Sequence, residues 1–283
     1  MVIGAGILWS LMGLSLRLLD TATIWQILLW RPVGMIPVVA WFIWWSSGRL
    51  IQPMRVAGLT GVVGGLGLAV SFIGAVTAIK STTIANALFL FSAAPFFAAI
   101  LGWTLLRERV RPVTWLAITV ALLGVTLMVR EGVNIGAMQG NIAAVFSALG
   151  MAVFTVSLRW GKQSDMLPAI VWGGAFSMIA AAAVLAAQGS PLTPPLHDLT
   201  IIITVGAVIL GVGTALFTFG CRVVPAAEAV LLTLLEVILG PVWVWLLMGE
   251  GASAMTFVGG AVVLLAVLLN GLTGFWQPQR AGG

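Results

Sequence analysis

The chain has 283 residues, 61% of them hydrophobic and 7% charged, with a mean hydropathy of +1.15; soluble domains carry roughly 25% charged residues, so a water-soluble fold is excluded. The net charge of +5 lies in short connectors, the orienting pattern of membrane proteins, which excludes nucleic acid as a partner. One cysteine, Cys221, and one histidine, His197, exclude a disulfide framework and a multi-ligand metal or redox centre, and no cofactor is expected.

Apolar runs of membrane length recur throughout, each able to cross about 30 Å of hydrocarbon as a helix. They are interrupted at nine charged or Pro/Gly/Ser-rich connectors, among them "SSGRLIQPMR", "RERVRP" and "QGSPLTPPLHD". Ten spans are therefore expected, at about 2–19, 23–45, 55–79, 82–106, 112–130, 138–158, 167–187, 199–220, 226–248 and 254–276. The first run has neither a basic segment before it nor a small-residue cleavage site, so it reads as a retained helix.

In chain order, the second span carries Arg31 about nine residues from its start, deep in the apolar layer. The third has glycines at 58, 61, 64, 65 and 67, and the eighth at 206, 211 and 213, spacings that let helices approach closely. Within the third, "GGLGLA" superficially matches a nucleotide loop, but no strand precedes it. Glu108 and Glu250 close the fourth and ninth spans beside Arg107, Arg109 or Gly249, as helix ends and gate partners. Glu228 follows Pro225 in the first turn of the ninth span, where a carboxylate favours the helix dipole. Glu236 lies eleven residues into that span, about 15 Å deep and near the midplane. A carboxylate there costs about 2.5–3.5 kcal/mol on insertion scales, so it is expected to face a cavity or a partner. It serves as a substrate or proton site, or as a packing carboxylate neutralised by protonation or pairing; depth alone permits a pair with Arg31.

With a cytoplasmic N-terminus, Arg49, Arg55, Arg107, Arg109, Arg111, Arg159, Lys162, Arg222 and Arg280 face the cytoplasm, and Arg17, Lys80 and Arg130 face out. That asymmetry sets both termini inside. Trp44, Trp45, Trp160 and Trp276 sit near span ends as interfacial anchors.

A shift of 142 positions registers the two halves without a gap. "SLR" at 15–17 meets "SLR" at 157–159, Trp30 meets Trp172, Gly64 meets Gly206, Trp103 meets Trp245 and Glu108 meets Glu250. Matches at rarer residues, all at one shift, point to duplication. Five spans per half make the second copy enter from the opposite side. The expected fold is thus an all-α integral membrane protein with ten transmembrane helices in two inverted repeats, 1–136 and 137–283. Glu236 has Ala94 as its mate and belongs to one half only; Asn86 is the mate of Glu228.

"NALFLFSAAPFFAAILGWTLLRERV" (86–110) and "LLEVILGPVWVWLLMGEG" (234–251) resemble the drug/metabolite transporter superfamily, in its ten-helix EamA-type branch, over essentially the whole chain. Pro95, Gly102, Trp103 and Glu108 fit that pattern, as do Trp245, Gly249 and Glu250, and both Arg31 and Glu236 are family-like. Val237 stands where the family has a proline and Pro241 follows four residues on, so a kink displaced by about one turn is expected. The likeness is greatest to bacterial exporters of amino acids, including the YddG-type aromatic amino acid exporters.

The resemblance implies a cavity enclosed by the first, third, fourth, sixth, eighth and ninth helices, with Trp9, Ser71, Phe72, Asn86, Phe89, Ser92, Ser147, Phe154, Thr214, Thr218 and Glu236 as candidate lining residues. Glu236, Arg31 and Glu228 are the coupling or gate candidates. The expectation is a secondary transporter of the bacterial inner membrane, exporting an amino acid or related metabolite by alternating access, with proton-coupled efflux of lipophilic cations as the rival. No repeated charged filter favours a channel, no acid–base set favours an enzyme, and no G-x-x-x-x-G-K-[ST] provides for ATP. The partners are the lipid bilayer and a small solute, and a monomer is compatible with the chain.

Overall fold

The computed structural model describes residues 1–81, 87, 90–108, 110–129, 138–161, 166–248 and 254–275, and among these no strand occurs. The helices are α1 (Val2–Ser10), α2 (Met12–Arg17), α3 (Ile24–Ser47), α4 (Ile51–Ser81), α5 (Ala94–Leu106), α6 (Pro112–Val129) and α7 (Met138–Trp160). They continue as α8 (Pro168–Gln188), α9 (Leu196–Val205), a π-helical segment (Gly206–Val212), α10 (Gly213–Gly220), α11 (Ala226–Thr233), α12 (Leu235–Met248) and α13 (Ala254–Phe275). Among the described residues, five runs are long and apolar enough to cross a membrane: Ile24–Ser47, Ile51–Ser81, Met138–Trp160, Pro168–Gln188 and Leu196–Gly220.

Local chemistry explains the ends. Thr23 caps α3 in a reciprocal box, its hydroxyl accepting from the Gln26 N–H while the Gln26 amide oxygen accepts from the Thr23 N–H. The same helix stops at Gly48, whose φ of 67° would strain any larger residue. Pro168 opens α8, where its missing N–H leaves nothing unpaired, and Gly189 ends it in the left-handed region.

Besides the turn at Ser92 and Ala93 ahead of α5, four interruptions lie inside the expected spans among the described residues. Leu11 separates α1 from α2, Gly58 bends α4 with φ 49° and ψ −139°, and the π segment divides the eighth span. The fourth lies at Leu234, where i→i−3 bonds from Leu234 to Leu231 and from Val237 to Leu234 close the turn. The expected displaced kink is therefore upstream of Glu236, and Pro241 lies within α12. A tightened turn keeps its donors satisfied, so it absorbs the break without an unpaired amide.

The core is built from small residues and close contacts. α4 packs on α7 and α8, α3 on α8 and the π segment, α1 on α10, α11 and α12, α5 on α7 and α11, and α6 on α13. A Cβ on Gly150 would lie 2.6 Å from the Ser71 nitrogen, so only glycine permits that α4–α7 crossing. Large apolar side chains such as Trp45, Leu59 and Leu265 point outward, an arrangement that suits hydrocarbon.

Candidate functional site

Arg31 is on the first turns of α3, 3% exposed, with its guanidinium carbon 4.7 Å from the centroid of the Phe72 ring on α4. Its Nη2 is buried with no hydrogen-bond partner. Cation–π contact contributes about 0.5–2 kcal/mol, against about 2.5–3.5 kcal/mol for an arginine at the centre of a membrane helix, so Phe72 offsets the charge only in part.

The backbone beside Arg31 is held tightly. A Cβ on Gly206 would collide with the Arg31 carbonyl oxygen, and one on Gly34 with that of Ile203, so α3 and the eighth span touch backbone to backbone. Gly206 opens the π segment, a geometry frequent at functional sites. Nearby, Gln26 Nε2 donates to the Pro191 carbonyl (2.9 Å) and Trp30 Nε1 to that of Leu192 (2.9 Å), which fixes the N-terminal end of α3.

Other candidates fall into groups. Ser147 Oγ donates to the Ser71 carbonyl (2.9 Å) and lies 3.4 Å from Ser71 Oγ, tying α7 to α4. Trp9 and Phe154 meet through Phe217, with ring centroids 5.3 Å and 6.2 Å from it. The indole Nε1 of Trp9, packed against Gly213, and Thr214 Oγ1 are both buried without a partner, while Thr218 Oγ1 bonds back to the Thr214 carbonyl (2.8 Å). Ser92 is buried. Asn86, Phe89 and Glu250 lie outside the described residues.

Glu236 is half-buried as the second residue of α12, just after the break at Leu234. It forms no ion pair with Arg31. Glu228 sits in the first turn of α11 as expected, but it is also an ion-pair partner: Arg111 Nε donates to its Oε1 at 3.0 Å. Thr114, buried, donates to Asn270 Oδ1 (2.9 Å), joining α6 to α13.

A second pair stands beside it. Arg159 at the end of α7 binds Glu108 Oε1 through Nη2 (2.7 Å) and Nε (2.8 Å), and its Nη1 donates to the carbonyls of Cys221 and Arg222 (3.2 Å each). Glu108 is aimed inward because Arg107 adopts a left-handed φ of 54° and the Glu108 N–H closes on the Gly102 carbonyl. The C-terminal ends of α5, α7, α10 and α13 and the N-terminal ends of α6 and α11 thus meet in one charged layer. A small cavity opens within it, lined by Gly102, Glu108, Thr114 and Glu228 among others.

At the opposite end, Asp198 is fully buried and accepts from the amides of Asp20 (3.1 Å), Thr21 (3.0 Å) and Ala22 (2.8 Å). Asp198, Phe217 and the Arg159 pairing were not singled out by sequence. An acid in a first helical turn is a visible signal for Asp198; its partners, some 176 to 178 residues away, are not. Asp20, His197 and Asp198 cluster there, but the oxygens of Asp198 are already committed to amides.

The EamA-like transporter family matches the chain twice, over residues 1–130 and 138–272. An uncharacterized transporter of Bacillus subtilis (strain 168), YwfM, is 27% identical over 205 residues. The alignment covers 68% of this chain and 66% of the relative, so the match spans just under two thirds of that protein. A protein of known crystal structure, 18% identical, shares the fold with a TM-score of 0.76 over 96% of each chain.

Proposed function

Since the chain belongs to the EamA-like transporter family and is a multi-pass membrane protein, we propose that it is a secondary transporter built from ten membrane-crossing helices in two inverted repeats, 1–136 and 137–283. In this reading it exports amino acids, aromatic ones included, or related small metabolites across the bacterial inner membrane by alternating access, with both termini cytoplasmic.

One observation carries the reading: the helix contacts exchange under the 142-residue shift. The α4–α7 pairing becomes that of the π segment and α10 with α1; α4–α8 becomes that of α9 and the π segment with α3; α5–α7 becomes that of α12 with α1. The pairs α3–α8 and α6–α13 map onto themselves. Such exchange is what a pseudo-two-fold axis requires, and two inverted halves can present one central site to either side. The double family match supports the same duplication. Arg31 and Glu236, two charges of opposite sign inside apolar helices with no ion-pair partner among the described residues, suit a solute that is itself a zwitterion.

The test is efflux from proteoliposomes loaded with a mixed pool of amino acids and lipophilic cations, followed at two pH values. Selective, saturable loss of amino acids is expected. A second reading, proton-coupled cation efflux, is favoured by the unpaired Glu236; loss of cations alone under a proton gradient would replace the first reading with it.

A further inference from the structure

We propose that Arg31 is the carboxylate-binding residue of this transporter, its guanidinium holding the solute's own carboxylate over the Phe72 ring; the proposal rests on the amino acid reading above and assigns one end of that substrate. A buried guanidinium ordinarily has a carboxylate in its own protein. Here the described carboxylates are otherwise engaged or distant: Glu108 binds Arg159, Glu228 binds Arg111, Asp198 takes three backbone amides, and Asp20 lies at His197. Glu236 makes no pair with Arg31. The guanidinium is nonetheless kept in one place, stacked on Phe72 and carried by a backbone locked between Gly34 and Gly206.

That combination is costly as packing and useful as recognition. A structural arginine would be expected to spend all its donors, whereas Nη2 is buried and spends none. Guanidinium presents a planar fork that matches a carboxylate with two parallel hydrogen bonds, and lysine cannot reproduce it. The adjoining π segment, where the helix ladder is already loosened, provides a backbone that can shift when α3 admits a ligand. An inorganic anion offers similar charge, so the source of the anionic group is part of the test.

The experiment uses the full-length protein in liposomes and compares L-phenylalanine with L-phenylalaninamide, which keeps the ammonium and ring but lacks the carboxylate. Wild type is expected to prefer the acid by about tenfold or more, the worth of a charged hydrogen bond in a buried site, and Arg31→Gln to bring the ratio near one. Arg31→Lys, the conservative variant if Gln prevents folding, is expected to lower the ratio while keeping its direction. Thermal unfolding in detergent identifies the folded variants. An unchanged ratio in a folded Arg31→Gln protein, or no preference in wild type, overturns the assignment and leaves the exporter reading in place. A ratio that collapses when chloride is replaced by sulfate assigns Arg31 to a resident anion and also overturns it. Efflux of lipophilic cations with neither acid nor amide moving removes the amino acid reading itself.

Discussion

Charge in an apolar run is the signal that survives at the level of the single residue. Arg31 and Glu236 were visible in the sequence because a charge within a membrane helix needs a reason to be there, and neither has an ion-pair partner among the described residues. Ser71 and Ser147 came from resemblance, and they do meet. Phe217, which joins Trp9 to Phe154, was not legible, because one more phenylalanine in an apolar helix carries no spacing signal. Glu236 follows the break at Leu234, where the helix is already tightened, and among the described residues its carboxylate has no ion-pair partner to lose. Glu236→Gln should therefore fold with an unfolding temperature close to wild type, yet transport more slowly and with a flattened dependence on pH. Proteoliposome efflux between mildly acidic and mildly alkaline pH checks this; a variant with the wild-type profile would reduce Glu236 to packing.

Element boundaries are written in proline, glycine and charge, and the observed ends lie within a few residues of hydropathy breaks. The interruptions at Leu11, in the π segment and at Leu234 left no such trace, because shifting a backbone bond by one residue changes no side chain. Ion pairs between elements were half visible. Glu108 was expected at a helix end, but its partner Arg159 depends on how α5 and α7 meet. Both side chains are partly exposed, so the pair itself is worth at most a few kcal/mol, about the scale of a charged hydrogen bond. Its bonds nevertheless join three elements, and the Cys221 carbonyl is one of them. Cys221 is the only cysteine and fully buried, so its alkylation reports opening of this layer without an added label. Glu108→Gln should raise the rate of maleimide modification of Cys221 by about tenfold, the ratio corresponding to about 1.4 kcal/mol of lost closure. Equal rates in the two proteins would mean that the pair decorates the layer and does not hold it shut.

For the whole molecule, the proposed duplication starts from scarce residues that coincide at one shift, and the contact exchange between helices supports it. Where the halves differ is as informative. Asp198 fastens the start of α9 to the loop ahead of α3, while its mate by the 142-residue shift is Val56. One end therefore carries a carboxylate clasp in one half only, and the other end carries the paired charges Glu108–Arg159 and Glu228–Arg111. In the proposed two-repeat transporter, unequal fastenings would let the halves have unequal open states, as a preferred direction requires. The orientation behind that argument has its own test. In a Cys221→Ser background, cysteines placed one at a time at Arg49 and Leu192, both exposed and on opposite ends of the bundle, should differ in labelling by an impermeant maleimide. Leu192→Cys should label in intact cells, and Arg49→Cys only after permeabilisation. The reverse pattern would overturn the assignment drawn from basic residues while keeping the inverted repeat; labelling of both from one side would overturn the inverted arrangement itself.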